Sequence, residues 1–133
     1  MDFDKLCNDI MESDHRIRFV AVYDNNIEKL GGGMRNGQET YLPEDIIKVS
    51  IDGSFMRWRS RKEMSHWIGE PMYAMTEYGK IKRFTFQMSP KKIMLVSTEK
   101  DINNNALVKT VFDKSRNMGL NLLSSAFLAT QCF

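Results

Sequence analysis

The sequence predicts an α+β fold in which a five-stranded antiparallel sheet packs against helices. Two patterns lead to this prediction. First, the spacing of apolar residues changes along the chain in the order helix, strand, strand, helix, strand, strand, strand, helix. Second, short turns join the strands within each group, and such turns connect antiparallel neighbours. The chain has 133 residues, 42% of them apolar, which suits a single domain with its own core.

The first helix is predicted over residues 2–14, DFDKLCNDIMESD. Asp2 is available as its N-cap, and the apolar residues that follow recur at helical spacing. These residues are Phe3, Leu6, Cys7, Ile10 and Met11.

Residues 17–34 predict the first pair of strands. The segment IRFVAVYD is apolar at both sets of alternating positions, so we expect a strand that is buried on both faces. A DNN turn follows, and IEKLGGGM returns as a second strand that ends in three glycines.

A long middle helix is predicted from Pro43, a residue favoured in the first turn, to Gly69, a natural stop. Projection at about 100° per residue places its apolar residues in two opposite arcs. The first arc suits the sheet and consists of Ile47, Ile51, Phe55 and Trp58. The second consists of Ile46, Val49, Met56, Met64, Trp67 and Ile68, and it includes the small residues Gly53 and Ser60.

The second arc requires its own covering, because a large exposed apolar patch marks an interaction site. We interpret it as a self-association surface. Two alternatives remain: the C-terminal segment covers it, or the helix breaks near residues 51–53.

Residues 70–100 predict three strands in a meander, with turns at Tyr78-Gly79 and at residues 89–91. The last of these strands contains IMLV, which is apolar on both faces and suits a central position. A final helix follows, whose apolar stripe ends before Gly119. We expect the domain to span residues 1–118. The uncharged apolar tail, residues 119–133, is expected to form a short helix against the domain or a partner.

The glycine-rich segment GGGMRNG, residues 31–37, allows two interpretations, a phosphate-binding loop or a strand irregularity. A P-loop requires Gly-Lys followed by Ser or Thr, whereas QETYL follows here. The dinucleotide pattern also fails, because its third glycine is missing and no helix starts directly afterwards. We therefore favour a bulge or a close backbone approach.

Cations alternate with aromatic residues in RWRSRKEMSHW, residues 57–67. Such a pattern can bind single-stranded nucleic acid through charge and stacking. On a helix, however, these cations spread around the circumference, and Trp58 belongs to the sheet-facing arc. We interpret them as a solvated rim that contacts an anion or a partner. The cations are Arg57, Arg59, Arg61 and Lys62.

The sequence shows no recognisable catalytic or metal-binding arrangement. His15 and His66 are candidate general bases, but neither has a nearby nucleophile in a known arrangement. Cys7 lies on an apolar helix stripe, which favours a core position over a reactive one. Cys7 and Cys132 form no CxxC pair and, with the two distant histidines, give no zinc-ligand spacing. We expect a non-catalytic domain without metal or cofactor.

The net charge of +2 is too small to indicate nucleic acid or an anionic membrane as a partner. No apolar run reaches the roughly 20 residues that span a bilayer, and the acidic N-terminus has no apolar signal core. We expect a reduced cytoplasmic protein that does not bind membranes.

Several of these segments resemble the Roadblock/LC7 superfamily. They are the first hairpin with its terminal glycines, the close of the long helix at Arg61, Lys62 and Gly69, and the segment IMLVSTE. Within the superfamily, the chain is most similar to small single-domain proteins of ammonia-oxidising archaea. The resemblance covers about residues 1–118 and leaves the tail outside.

The resemblance implies a profilin-like or Roadblock-like fold and a homodimer formed through the middle helix and the following strand. It also implies a non-catalytic scaffold or regulatory module, in many cases for small Ras-like GTPases. Together with the helical projection, it assigns a dimer surface on this helix and on the strand at residues 72–76. The surface consists of Val49, Gly53, Met56, Ser60, Met64, Trp67, Met72 and Ala74.

Two other functions remain as alternatives. A PAS-like sensor domain would enclose a small molecule in an apolar pocket, although no group of polar residues indicates a ligand. A weak nucleic-acid binder would use the basic stretch at residues 57–62.

Overall fold

The computed structural model, which describes residues 1–120, contains a five-stranded antiparallel sheet with helices on both faces. The predicted fold class is therefore confirmed. In chain order, the elements are α1 (Phe3–Glu12), β1 (Ile17–Asp24), β2 (Lys29–Met34), α2 (Glu44–Lys62), α3 (Ser65–Ile68), β3 (Ala74–Glu77), β4 (Lys82–Ser89), β5 (Lys92–Thr98) and α4 (Asn104–Asn117).

The strands are arranged in the order β2-β1-β5-β4-β3. β5 occupies the centre and pairs antiparallel with both β1 and β4. β1 is buried along nearly its whole length, as its two apolar faces predict. The two edges are formed by β2 and by the short strand β3.

The core lies in two layers, one on each face of the sheet. On one face, α1 and α4 pack against side chains of β1, β4 and β5, which include Phe84 and Phe86. On the other face, α2 buries Ile51, Phe55 and Trp58 against β1 and β5. The Trp58 indole N–H donates to the Thr85 hydroxyl at 2.9 Å, which satisfies its polar atom inside the protein.

The long middle helix is two helices, so the prediction of one continuous helix to Gly69 is wrong. The N–H groups of Glu63 and Met64 donate to carbonyls three residues earlier, which tightens and ends α2. The Ser65 hydroxyl then bonds the Lys62 carbonyl at 2.7 Å and supports the turn into α3. The alternative of a break near residues 51–53 is also wrong, because α2 continues through them.

β2 contains a bulge at Leu30, directly before the glycines, and a close backbone approach at Gly32. Val22 is paired with Gly31 and Tyr23 with Lys29, so Leu30 is an extra residue in β2. Gly32 has a φ of 91°, and a Cβ on it would overlap the Val20 carbonyl oxygen and lie 2.7 Å from the Ala21 Cα. Glycine is therefore required here by both conformation and space.

We expect Gly32→Ala to destabilise the fold by about 3 kcal/mol or more, since β1 and β2 must separate to admit the methyl group. Gly37→Ala is a matched control, because Gly37 has a φ of 82° and no atom within 4 Å of the added Cβ. It isolates the conformational cost, about 1–2 kcal/mol. Urea unfolding of both variants measures the difference, and equal losses would contradict the close approach.

Candidate functional site

α2 and α3 present large apolar side chains to solvent on the side opposite the sheet. Val49 is 69% exposed, Met56 60%, Met64 51% and Trp67 78%. The predicted separation of two apolar faces is confirmed, because Ile51 and Trp58 are fully buried. We call the exposed side the outer helix face and define it by Val49, Gly53, Met56, Ser60, Met64 and Trp67.

The α2 residues of the outer helix face form one stripe with the exposed Ile46. Positions 46, 49, 53, 56 and 60 are separated by alternating steps of three and four residues. This spacing keeps side chains on one side of a helix and is typical of helix–helix seams. Gly53 and Ser60 are the small residues of the stripe. The Arg57 guanidinium lies over Gly53, 2.8 Å from the position that a Cβ would take.

β3 lies at one edge of the sheet. It pairs only with β4 among the described strands, which leaves its other edge open. Ala74 packs partly against the core beneath α2, so the first residue of β3 lies on the α2 side of the sheet. Met72, predicted as part of this strand, precedes it and is 48% exposed. The strand prediction of residues 72–76 is corrected accordingly.

The four cations predicted at residues 57–62 of α2 do not converge on one point. Arg57 bonds the Ser54 hydroxyl at 3.1 Å, Arg61 lies over the Trp58 ring, and Lys62 pairs with Glu70 at 3.0 Å. Arg59 is exposed. Because Trp58 is fully buried, it offers no face on which a nucleic-acid base could stack.

The candidate catalytic side chains His15, His66 and Cys7 lie on different segments of the fold and form no shared site. His15 lies in the turn after α1, close to Asp14, whereas His66 lies in α3 against the Trp67 ring. Cys7 is buried in α1, and this burial, with a smaller contribution from Asp4, raises the pKa of its thiol to about 12.

The described residues include no group of three or more His, Cys, Asp or Glu side chains able to hold a metal ion. Within the same residues, every helix is too short or too polar to cross a bilayer.

Arg18 is a buried polar residue that the sequence pattern did not indicate. Its guanidinium donates to the Gln38 side chain at 2.8 Å, to Glu99 at 2.9 Å and to the Glu39 carbonyl at 2.9 Å. The Tyr41 ring lies 4.5 Å from the guanidinium carbon. Arg18 thereby fixes residues 38–42, which we call the strap, over the end of the sheet. The only signal in the sequence is one arginine within an otherwise apolar strand.

Comparison with known proteins identifies the fold. No protein-family model matches the sequence, and a search of curated proteins gives no match. Among solved structures, a Roadblock/LC7 domain from Streptomyces avermitilis matches with a TM-score of 0.66 and 8% identity, over 89% of this chain and 95% of that one. MglB from Myxococcus xanthus matches with a TM-score of 0.66 and 12% identity, over 89% and 92%.

The chain has the Roadblock/LC7 fold. The same architecture extends to profilin IB from Acanthamoeba castellanii, with a TM-score of 0.54 and 10% identity over 88% of this chain and 96% of that one. Since all three identities are low, these similarities establish the fold alone.

We expect Cys7 to resist a thiol-directed reagent at pH 8 in the folded protein, because a thiol with a pKa of about 12 is about one part in ten thousand thiolate. The measurement uses the Cys132→Ser variant, so that Cys7 is the only thiol. The same sample in denaturing urea is the control and should react fully. Rapid labelling of the folded variant would restore Cys7 as a candidate nucleophile.

Proposed function

We propose that this protein is a non-catalytic, homodimeric scaffold or regulatory module that binds other proteins. The observation that supports this function is the exposed apolar outer helix face, together with the open edge of β3. An apolar surface of this kind is stabilised when a partner covers it, and an open strand edge provides unpaired backbone groups. A second copy of the chain covers the apolar face and also pairs with the open strand edge.

In the proposed dimer, β3 of one copy pairs with β3 of the other and α2 packs against its counterpart. A two-fold axis through Gly53 makes the two α2 helices antiparallel. The small Gly53 and Ser60 then allow close helix contact once the flexible Arg57 side chain moves off Gly53, while Val49 and Met56 fill the space between the helices. Met64, Trp67, Met72 and Ala74 extend the surface towards the paired strands.

The charge distribution on α2 supports the antiparallel arrangement. Its first turn is acidic, with Glu44 and Asp45, and its last turn is basic, with Arg59, Arg61 and Lys62. Asp45 lies eight positions before Gly53 and the exposed Arg59 six positions after it, and a helical projection places both on the same flank of the stripe. Antiparallel packing about Gly53 therefore brings Asp45 of each copy towards the Arg59 of the other copy.

A small Ras-like GTPase is the partner class that the Roadblock resemblance implies, and we propose it for this chain. MglB from Thermus thermophilus is described as a gliding protein, and another MglB structure has a tetrameric arrangement. Oligomeric assembly is thus recorded for a protein that shares this fold. The cations at residues 57–62, at the rim of the outer helix face, provide positive charge for an acidic partner.

The remaining proposals concern the chain itself. We propose a domain of residues 1–118, a cytoplasmic location and a close relation to small archaeal Roadblock-like proteins. Leu120 packs against the core beside α1 and α4, and the rest of the predicted tail, residues 121–133, lies outside the described residues.

We expect native mass spectrometry at low micromolar concentration to show a dimer for the wild type and a monomer for Met56→Glu, because the new carboxylate would be buried without a partner. Asn105→Glu is the matched control. It adds the same charge at an exposed site on α4, across the sheet from α2, and should remain a dimer. A monomeric wild type, or a dimer in both variants, would contradict the proposed interface.

We expect Asp45→Arg and Arg59→Asp each to weaken the dimer by about threefold to tenfold, since each places like charges on the same flank of the helix pair. The double variant exchanges the two charges and should recover most of the affinity. Analytical ultracentrifugation measures the dissociation constants, and circular dichroism checks that α2 remains folded. If the dissociation constant of the double variant rises by the product of the two single-variant factors, the two charges do not interact and the antiparallel pairing is excluded.

A further inference from the structure

A groove of about 430 Å³ lies on the α2 side of the sheet, between the strap, the first half of α2 and the β3–β4 turn. Its apolar surface comes from Leu42, Ile46 and Ile81, and two half-exposed tyrosines, Tyr41 and Tyr78, line it. Sites for small ligands combine an apolar surface of this kind with a few polar groups, in volumes of about 300–1,000 Å³.

The charged side chains that line the groove are both cations. Lys80 and Arg83 contribute to its wall, and neither forms an ion pair with any of residues 1–120. The Lys80 ammonium lies 5.0 Å from the centre of the Tyr41 ring, whose other cationic neighbour is Arg18. The groove therefore carries positive charge that the described part of the chain does not neutralise.

Arg83 is the more confined of the two cations. It lies on β4, is half-buried, and donates to the Ser50 hydroxyl of α2 at 3.1 Å. Burial lowers the pKa of Arg83, the hydroxyl of Tyr78 partly offsets this, and the nearby Arg57 lowers the pKa further. A desolvated guanidinium without an opposite charge is costly, so an anion at this position would stabilise it.

We propose that this groove binds a small amphipathic anion, with a carboxylate or phosphate at Arg83 and Lys80 and a flat apolar body against Tyr41 and Tyr78. Arg83 provides the planar donors that recognise such head groups, and Lys80 adds a mobile charge. The tyrosine rings and the three aliphatic side chains contact the body of the ligand. This site differs chemically from the proposed dimer surface, because its specificity depends on Lys80 and Arg83, which are not part of the outer helix face.

The test uses 1-anilinonaphthalene-8-sulfonate, an aromatic anion, and N-phenyl-1-naphthylamine, its uncharged counterpart. Both probes report binding by fluorescence, so their difference measures the contribution of the charge. We expect the wild type to bind one anionic probe per chain. Arg83→Gln should raise its dissociation constant about tenfold or more, and Lys80→Gln about threefold. The affinity for the uncharged probe should change by less than about twofold.

Lys91→Gln is the matched control, because Lys91 is an exposed lysine of another turn, and it should leave the affinity for both probes unchanged. Lys80 is exposed, so Lys80→Gln tests the groove even if Arg83→Gln fails to fold. Circular dichroism verifies that each variant retains the native fold before titration.

Three results would overturn the proposal. In the first, the groove variants bind the anionic probe as the wild type does. In the second, both probes lose affinity equally, so that charge plays no part. In the third, Met56→Glu alters binding of the anionic probe: lost binding places the probe on the outer helix face, and stronger binding shows that a second copy covers the groove. If Met56→Glu abolishes the dimer but leaves probe binding intact, the two proposals are shown to be independent.

Discussion

The packing of Ile51, Phe55 and Trp58 against β1 and β5 determines which side of α2 faces outward. A helix that buries one stripe holds its opposite stripe at a fixed angle to the sheet. The bond from the Trp58 indole to Thr85 adds a directional constraint, since rotation of α2 would leave a buried donor without its acceptor. The exposure of Val49 and Met56 is therefore a consequence of the core.

The helical period alone was sufficient to identify both faces of α2, and the continuous apolar run IMLV was sufficient to place β5 at the centre. These features depend on side chains that repeat over many residues, so that one unusual residue does not change the result. The end of α2 was predicted less well. It depends on local hydrogen bonds of Glu63, Met64 and Ser65 that compete with the helix, and these residue types also occur within helices.

The groove and the Arg18 network could not be predicted, because they join residues that are distant in sequence. Arg18 is 20 residues from Gln38 and 81 from Glu99, and these contacts form only after β1, β5 and the strap have been placed together. Likewise, the groove is formed by the strap, α2 and the β3–β4 turn. The strap and the β3–β4 turn each read as an ordinary polar connection when considered alone. Only the folded topology brings Lys80 and Arg83 beside Tyr41 of the strap.

Arg18 also connects the core to the groove. It bonds Glu99, the residue directly after the central strand β5. Its bonds to Gln38 and Glu39 hold the strap, from which Tyr41 and Leu42 reach the groove. The shape of the groove is thus set by the rigid centre of the sheet, although one of its walls is a connecting segment. Arg83 extends from β4 into the same space, and Ser50 holds it from α2. The strands that pack against the buried side of α2 therefore also position the cations of the groove, which lies beside the N-terminal half of α2. The outer helix face is not part of this arrangement and remains available for a protein.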